Sequence, residues 1–186
     1  MTTQTKTLVL GIGNTLLSDE GAGIHALSLM QSIYAEAAGF TFLDGGTLSF
    51  TLATWIEDCH NLIVFDAAEL DMPAGAVKTF ASADMDAYLG AARRSAHEVG
   101  LMDLMDIARL TGCLPANRAL IGIQPEYMDW GMEPTESVKQ ALPEAVEQAV
   151  LLLLAWKHQP LNQRAAATQQ LSNKTNVESP NTGAER

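Results

Sequence analysis

Five side chains able to bind a metal ion or move a proton lie in or beside turn-like stretches of the chain. Glu20 follows Asp19 in LGIGNTLLSDEG (10–21), Asp44 opens DGGT (44–47), Asp66 sits in IVFDAA (63–68), and His97 sits in RRSAHEVG (93–100). Two carboxylates, Glu20 and Asp66, and one imidazole, His97, delivered from separate loops make a set suited to a borderline divalent ion. Three such donors leave open positions for water or a guest ligand. Each residue also has a plainer role open to it. Glu20 can cap a helix starting at Gly21, where the helix dipole favours an acid. Asp66 can be a turn residue after an apolar strand, and His97 a neighbour of a helix N-cap. His25, His60 and His158 fall on helices or a helix end and read as structural or exposed.

The glycines of the first loop invite comparison with nucleotide sites. A dinucleotide fingerprint needs a third glycine where Leu16 stands, and Asp19 and Glu20 would repel a pyrophosphate. No Gly-Lys-Ser/Thr follows, so a P-loop is excluded. HEVGL (97–101) lacks the second histidine of a zincin helix, and there is no G-x-S-x-G elbow. A nucleotide-binding α/β protein is thus the weaker alternative to a metal-contacting one.

These residues need a scaffold, and the apolar pattern supplies it. TLVLGIG (7–13), FTFLDGGT (40–47) and NLIVFDAAE (61–69) read as strands. Helical spacing runs from Gly21 to about Ala38 and again over 48–59. Alternating strands and helices predict an α/β sandwich around a largely parallel sheet. Only LDMPAG separates the third strand from AVKTFA (76–81), too short for a crossover helix, which predicts an antiparallel hairpin and hence a mixed sheet. GLMDLMDIARLTG (100–112) predicts a helix, RALIGIQPE (118–126) a fifth strand, and Pro143 to His158 a last helix with proline in its first turn. In such sheets ligands collect at the carboxyl ends of strands, where Glu20, Asp44 and Asp66 fall.

The 186 residues fit one domain over 1–159. The segment 160–186 is polar and poor in large aliphatics, and reads as a disordered tail. Net charge is −11; the tail contributes +1, leaving −12 for the rest. That balance argues against nucleic acid or an anionic membrane as partner. No apolar run is long enough to span a bilayer. The N-terminus makes a poor signal peptide. Cys59 and Cys113 lie far apart without metal or redox spacing, as expected of reduced thiols in a cytoplasmic protein.

Together, LGIGNTLLSDEGAGIHAL, DGGT, IVFDAAE, SAHEVGLMDLMDIARLTG and IGIQPEYMDWGMEPTESV resemble the maturation endopeptidases of nickel–iron (NiFe) hydrogenases, most closely those serving membrane-bound uptake hydrogenases. The resemblance covers about residues 7 to 157. It implies a three-layer α/β/α sandwich around a twisted, mostly parallel mixed sheet of about five strands. It implies an endopeptidase, classed with the aspartic peptidases, that removes the C-terminal extension of the hydrogenase large-subunit precursor after nickel insertion. The family's metal-contacting positions fall on Glu20, Asp66 and His97, and its Asp-Gly-Gly acid on Asp44. Asp66 and Asp44 are then the candidate catalytic carboxylates, one of them acting as general base on water. A second route has the metal polarise the scissile carbonyl or activate the water. The nickel is shared with or delivered by the precursor, and the protein is expected to act as a monomer. A non-catalytic nickel chaperone with the same ligands is the rival reading.

Overall fold

The computed structural model describes residues 5–47, 49–91 and 96–157, by backbone alone at 96–99. The tail expected from 160 onward lies outside them. Five strands form one sheet: β1 (Thr7–Gly11), β2 (Phe40–Asp44), β3 (Asn61–Ala67), β4 (Val77–Ala81) and β5 (Asn117–Ile123). Their spatial order is β2-β1-β3-β5-β4, parallel except where β4 runs antiparallel to β5. Helices α1 (Ala22–Tyr34), α2 (Ala53–Glu57), α3 (Ala83–Ala91), α4 (Ala96–Leu110) and α5 (Glu136–Lys157) cover it. The result is the three-layer α/β/α sandwich with a mixed five-stranded sheet.

Both faces of the sheet are apolar because both are covered. On one, Val9, Ile63, Phe65 and Ile121 pack with Ala26, Leu27 and Met30 of α1 and with Val138, Ala145 and Ala149 of α5. On the other, Leu8, Leu10, Leu62, Val64 and Leu120 pack with Ile56 of α2, Met85 and Leu89 of α3, and Leu104 and Met105 of α4. The central strand β3 is buried along its whole length. Leu62, Ile63, Val64 and Phe65 are all fully buried, worth roughly 6–12 kcal/mol together by area transfer. That exceeds the several kcal/mol needed to hold an acid in the same strand out of water.

The chain leaves β1 for β2 on one side and returns past β1 to β3 on the other. Strand order therefore reverses between β1 and β3, the place where open α/β sheets hold their ligands.

Four expectations need correction. The predicted β3–β4 hairpin does not form: β5 lies between the two strands and takes the antiparallel pairing with β4. β3 already has parallel partners on both edges, and the half-exposed β4 suits the rim. The predicted helix over 48–59 is shorter, a 3-10 turn at Phe50–Leu52 leading into α2, while Leu48 lies outside the described residues. Helix α4 starts at Ala96, so His97 lies in its first turn and not in a loop. Helix α5 starts at Glu136, which puts Pro143 inside it rather than in its first turn. The Thr135 hydroxyl accepts the Val138 N–H (3.5 Å) at the true start. The proline deprives only the Lys139 carbonyl of a partner, and packing of Val138, Ala141 and Ala145 carries the helix across it. Helix α3, for which the periodicity gives no sign, buries only Met85 and Leu89. No described helix is long and apolar enough to cross a membrane.

Candidate active site

The first loop is shaped by two close backbone approaches. Gly13 has φ +142°, and a Cβ there would lie 2.0 Å from the Glu20 carbonyl oxygen. The loop can therefore double back until the Glu20 backbone lies over Gly13, and the Asn14 N–H donates to the Glu20 carbonyl (3.3 Å). Gly23, one residue into α1, would place a Cβ 2.3 Å from the carbonyl oxygens of both Ile12 and Phe65. The absent side chain lets α1 rest directly on the carboxyl ends of β1 and β3. It performs the packing role that a dinucleotide fingerprint assigns to its third glycine. A 3-10 turn (Ser18–Gly21) carrying both acids lies between β1 and α1, which is poor ground for a phosphate.

Glu20, half-buried, enters from this turn. Asp66 is 1% exposed, one residue before the end of β3 and opposite Gly122 of β5. Asp44 ends β2 opposite Gly11 of β1, and is exposed. Its Oδ1 accepts the Gly46 N–H (2.8 Å), which fixes the Asp-Gly-Gly turn. That turn is sewn to the first loop: Gly45 N–H donates to the Gly11 carbonyl (2.9 Å) and Gly13 N–H to the Gly46 carbonyl (2.8 Å). Ile12 N–H in turn donates to the Phe65 carbonyl (2.9 Å). The backbones of Glu20, Asp44 and Asp66 thus lie at one end of the sheet, around the switch point. The imidazole of His97 lies outside the described side chains. Among the described residues no group of three His, Cys, Asp or Glu is placed to hold a metal ion.

Asp19, adjacent to Glu20 in sequence, does something different. It is fully buried, and its carboxylate accepts the N–H groups of Glu126 (2.9 Å), Tyr127 (3.0 Å) and Thr135 (2.6 Å) and the Thr135 hydroxyl (2.9 Å). Its own N–H donates to the Tyr127 carbonyl (3.1 Å). Asp19 fastens the Glu20 turn to the loop between β5 and α5. Sequence reasoning saw the acid pair but not this division of labour, and no spacing signal joins position 19 to position 135. Ser18 completes the fastening. It is bent to φ +48°, and its N–H donates to the Gly131 carbonyl (2.7 Å). His25 is half-buried on α1, its buried Nε2 without a hydrogen-bond partner among the described residues. Burial lowers its pKa from the usual histidine value; Glu133 opposes the shift, and Lys139 adds to it.

Fold and site together define an α/β/α protein with acidic residues at the carboxyl ends of its parallel strands. A family model described as hydrogenase maturation protease matches residues 24–151. The hydrogenase expression/formation protein HupD of Rhodobacter capsulatus is 38% identical over 152 residues, 81% of this chain and 72% of that protein. The hydrogenase 2 maturation protease of Escherichia coli strain K12 is 30% identical over 146 residues, 78% of this chain and 89% of that protein. Among solved structures, the hydrogenase maturating endopeptidase HybD from Escherichia coli superimposes with a TM-score of 0.74 at 27% identity, covering 81% of this chain and 93% of that one. The chain belongs to the hydrogenase maturation protease family.

Proposed function

We propose that this protease removes the C-terminal extension of a NiFe hydrogenase large-subunit precursor after nickel insertion, and that Glu20, Asp66 and His97 contact that nickel. What supports the reading is a buried carboxylate, Asp66, and an exposed one, Asp44, on the two neighbours of β1, in a chain of this family. Two carboxylates and one imidazole fit nickel as a sparse donor set, which leaves positions for ligands of the precursor itself. Nickel here belongs to the substrate. It marks a finished precursor and draws the scissile segment across the Glu20 turn.

Hydrolysis is of the aspartic type. Asp44, solvent-exposed and oriented through Gly46, takes a proton from water as the water oxygen attacks the scissile carbonyl carbon. The proton passes to the departing amide nitrogen as the C–N bond breaks. Asp66 is the second candidate base; its burial makes it less accessible to bulk water than Asp44. The two cysteines are free, in keeping with work in the cytoplasm, and the protein acts as a monomer.

The decisive experiment mixes metal-free protease with nickel-loaded and with metal-free precursor. The expected result is shortening of the loaded form alone, seen as a mobility shift, with no rescue of the other form by nickel added to the protease. Equal cutting of both forms would remove metal-gated recognition. Cutting of neither would favour the nickel chaperone.

A further inference from the structure

We infer that the loop between β5 and α5 is the pad on which the precursor docks, reading an apolar segment flanked by lysine or arginine; this rests on the function proposed above. Leu16, Tyr127, Met128, Trp130 and Met132 are 49%, 52%, 55%, 77% and 73% exposed. Five large apolar side chains so exposed on two hydrogen-bonded segments form a concentration that isolated surface leucines do not explain. Tryptophan, tyrosine and methionine are also the types that interfaces favour.

The patch is rigidly continuous with the site. Leu17 forms a parallel bridge with Gly131, and Gly131 N–H donates to the Leu16 carbonyl (3.1 Å). Trp130 and Met132 therefore flank a residue bonded to Ser18, two positions from Glu20. The buried Asp19 carboxylate holds the same loop at residues 126, 127 and 135. A pinned backbone has little conformational freedom left to lose, so only side-chain ordering adds to the cost of association.

Charge selects the occupant. From Glu126 to Thr135 the loop carries Glu126, Asp129 and Glu133 and no lysine or arginine. Among the described residues Lys139 is the cation paired with it, at Glu133 (3.1 Å). A second acidic surface would be repelled, whereas a basic-flanked apolar segment gains both contact and steering. A protein cut next to Glu20 must lie against this pad, so the segment belongs to the precursor beside its extension.

The test is cleavage kinetics on nickel-loaded precursor. Trp130→Ala combined with Met132→Ala is expected to raise KM about 10-fold and leave kcat within about twofold, with the melting temperature unchanged. Met128→Lys, in a separate variant, should raise KM by introducing like charge against the basic flank. Leu110→Ala, 87% exposed at the far end of α4, should change nothing. Wild-type KM in both pad variants, with wild-type protein cutting normally, overturns the docking pad and leaves the protease reading intact. Failure of wild-type protein to cut any precursor overturns both.

Discussion

Asp19 and Glu20 are neighbours with the same chemistry and opposite duties, and burial decides which is which. Asp19 is fully enclosed by four donated hydrogen bonds, whereas Glu20 is half-buried. Hydrogen bonds to a charged acceptor contribute about 1.5–3 kcal/mol each, but they are not additive. Asp19→Ala is accordingly expected to destabilise the fold by roughly 3–5 kcal/mol, as does the breaking of other buried charged networks. Glu20→Gln should leave the denaturation midpoint near wild type and abolish precursor shortening. Urea melts and gel mobility of the large subunit separate the two; an unstable Glu20→Gln variant would move Glu20 into the structural class. Glu20, Asp44 and Asp66 were legible as site candidates because each follows or ends an apolar strand, where the fold class delivers its ligands. The role of Asp19 was not legible, since its partners lie 107 to 116 positions away.

At the scale of elements, the three inner strands were readable because burial on both faces leaves an unbroken apolar run. Pairing was less so. The short β3–β4 connection suggested a hairpin, and only the later arrival of β5 shows that the edge of β3 was reserved for a parallel partner. The start of α5 escaped for a related reason: Pro143 carries a strong local signal, and the tertiary contact of Thr135 with Asp19 overrides it. The junction of α1 with β1 and β3 makes a sharp prediction. A methyl group at Gly23 would meet two backbone carbonyl oxygens at 2.3 Å, that of Phe65 in β3 and that of Ile12, the residue following β1. Helix α1 must then lift, carrying the Glu20 turn with it. Gly23→Ala is expected to destabilise by roughly 2–3 kcal/mol, as overpacking does, and to slow cleavage as well. Near-normal stability with normal cleavage would mean that the helix seat is softer than its geometry implies. A helical glycine ordinarily gains stability on replacement by alanine, less so in the first turn where Gly23 lies, so even the sign of the effect is diagnostic.

For the molecule as a whole, the question is where the folding unit ends. Residues 5–157 already cover both faces of the sheet, with α1 and α5 on one side and α2, α3 and α4 on the other. Trp156, 5% exposed, is among the last residues of α5 and belongs to that core. The family match stops at 151, and the composition beyond 160 lacks the apolar spacing needed to dock on a core. One feature could contradict this boundary. A cavity of about 500 Å³ opens at the amino ends of β1, β2 and β3, the end opposite Glu20, and is lined by Met30, Tyr34, Phe40, Val150, Leu153 and Leu154. Chain following Lys157 starts beside it, and Leu161 is near enough in sequence to reach it. Truncation after His158 is expected to leave cleavage unchanged and to move the melting temperature by no more than about 2 °C, the equivalent of under 1 kcal/mol for a domain of this size. A larger fall, with cleavage retained, would assign the cavity to the tail and extend the folding unit past 160. Leu161→Lys in the full-length chain would then reproduce the loss, because the cavity lining already holds Lys157 and offers no acid to pair a second cation.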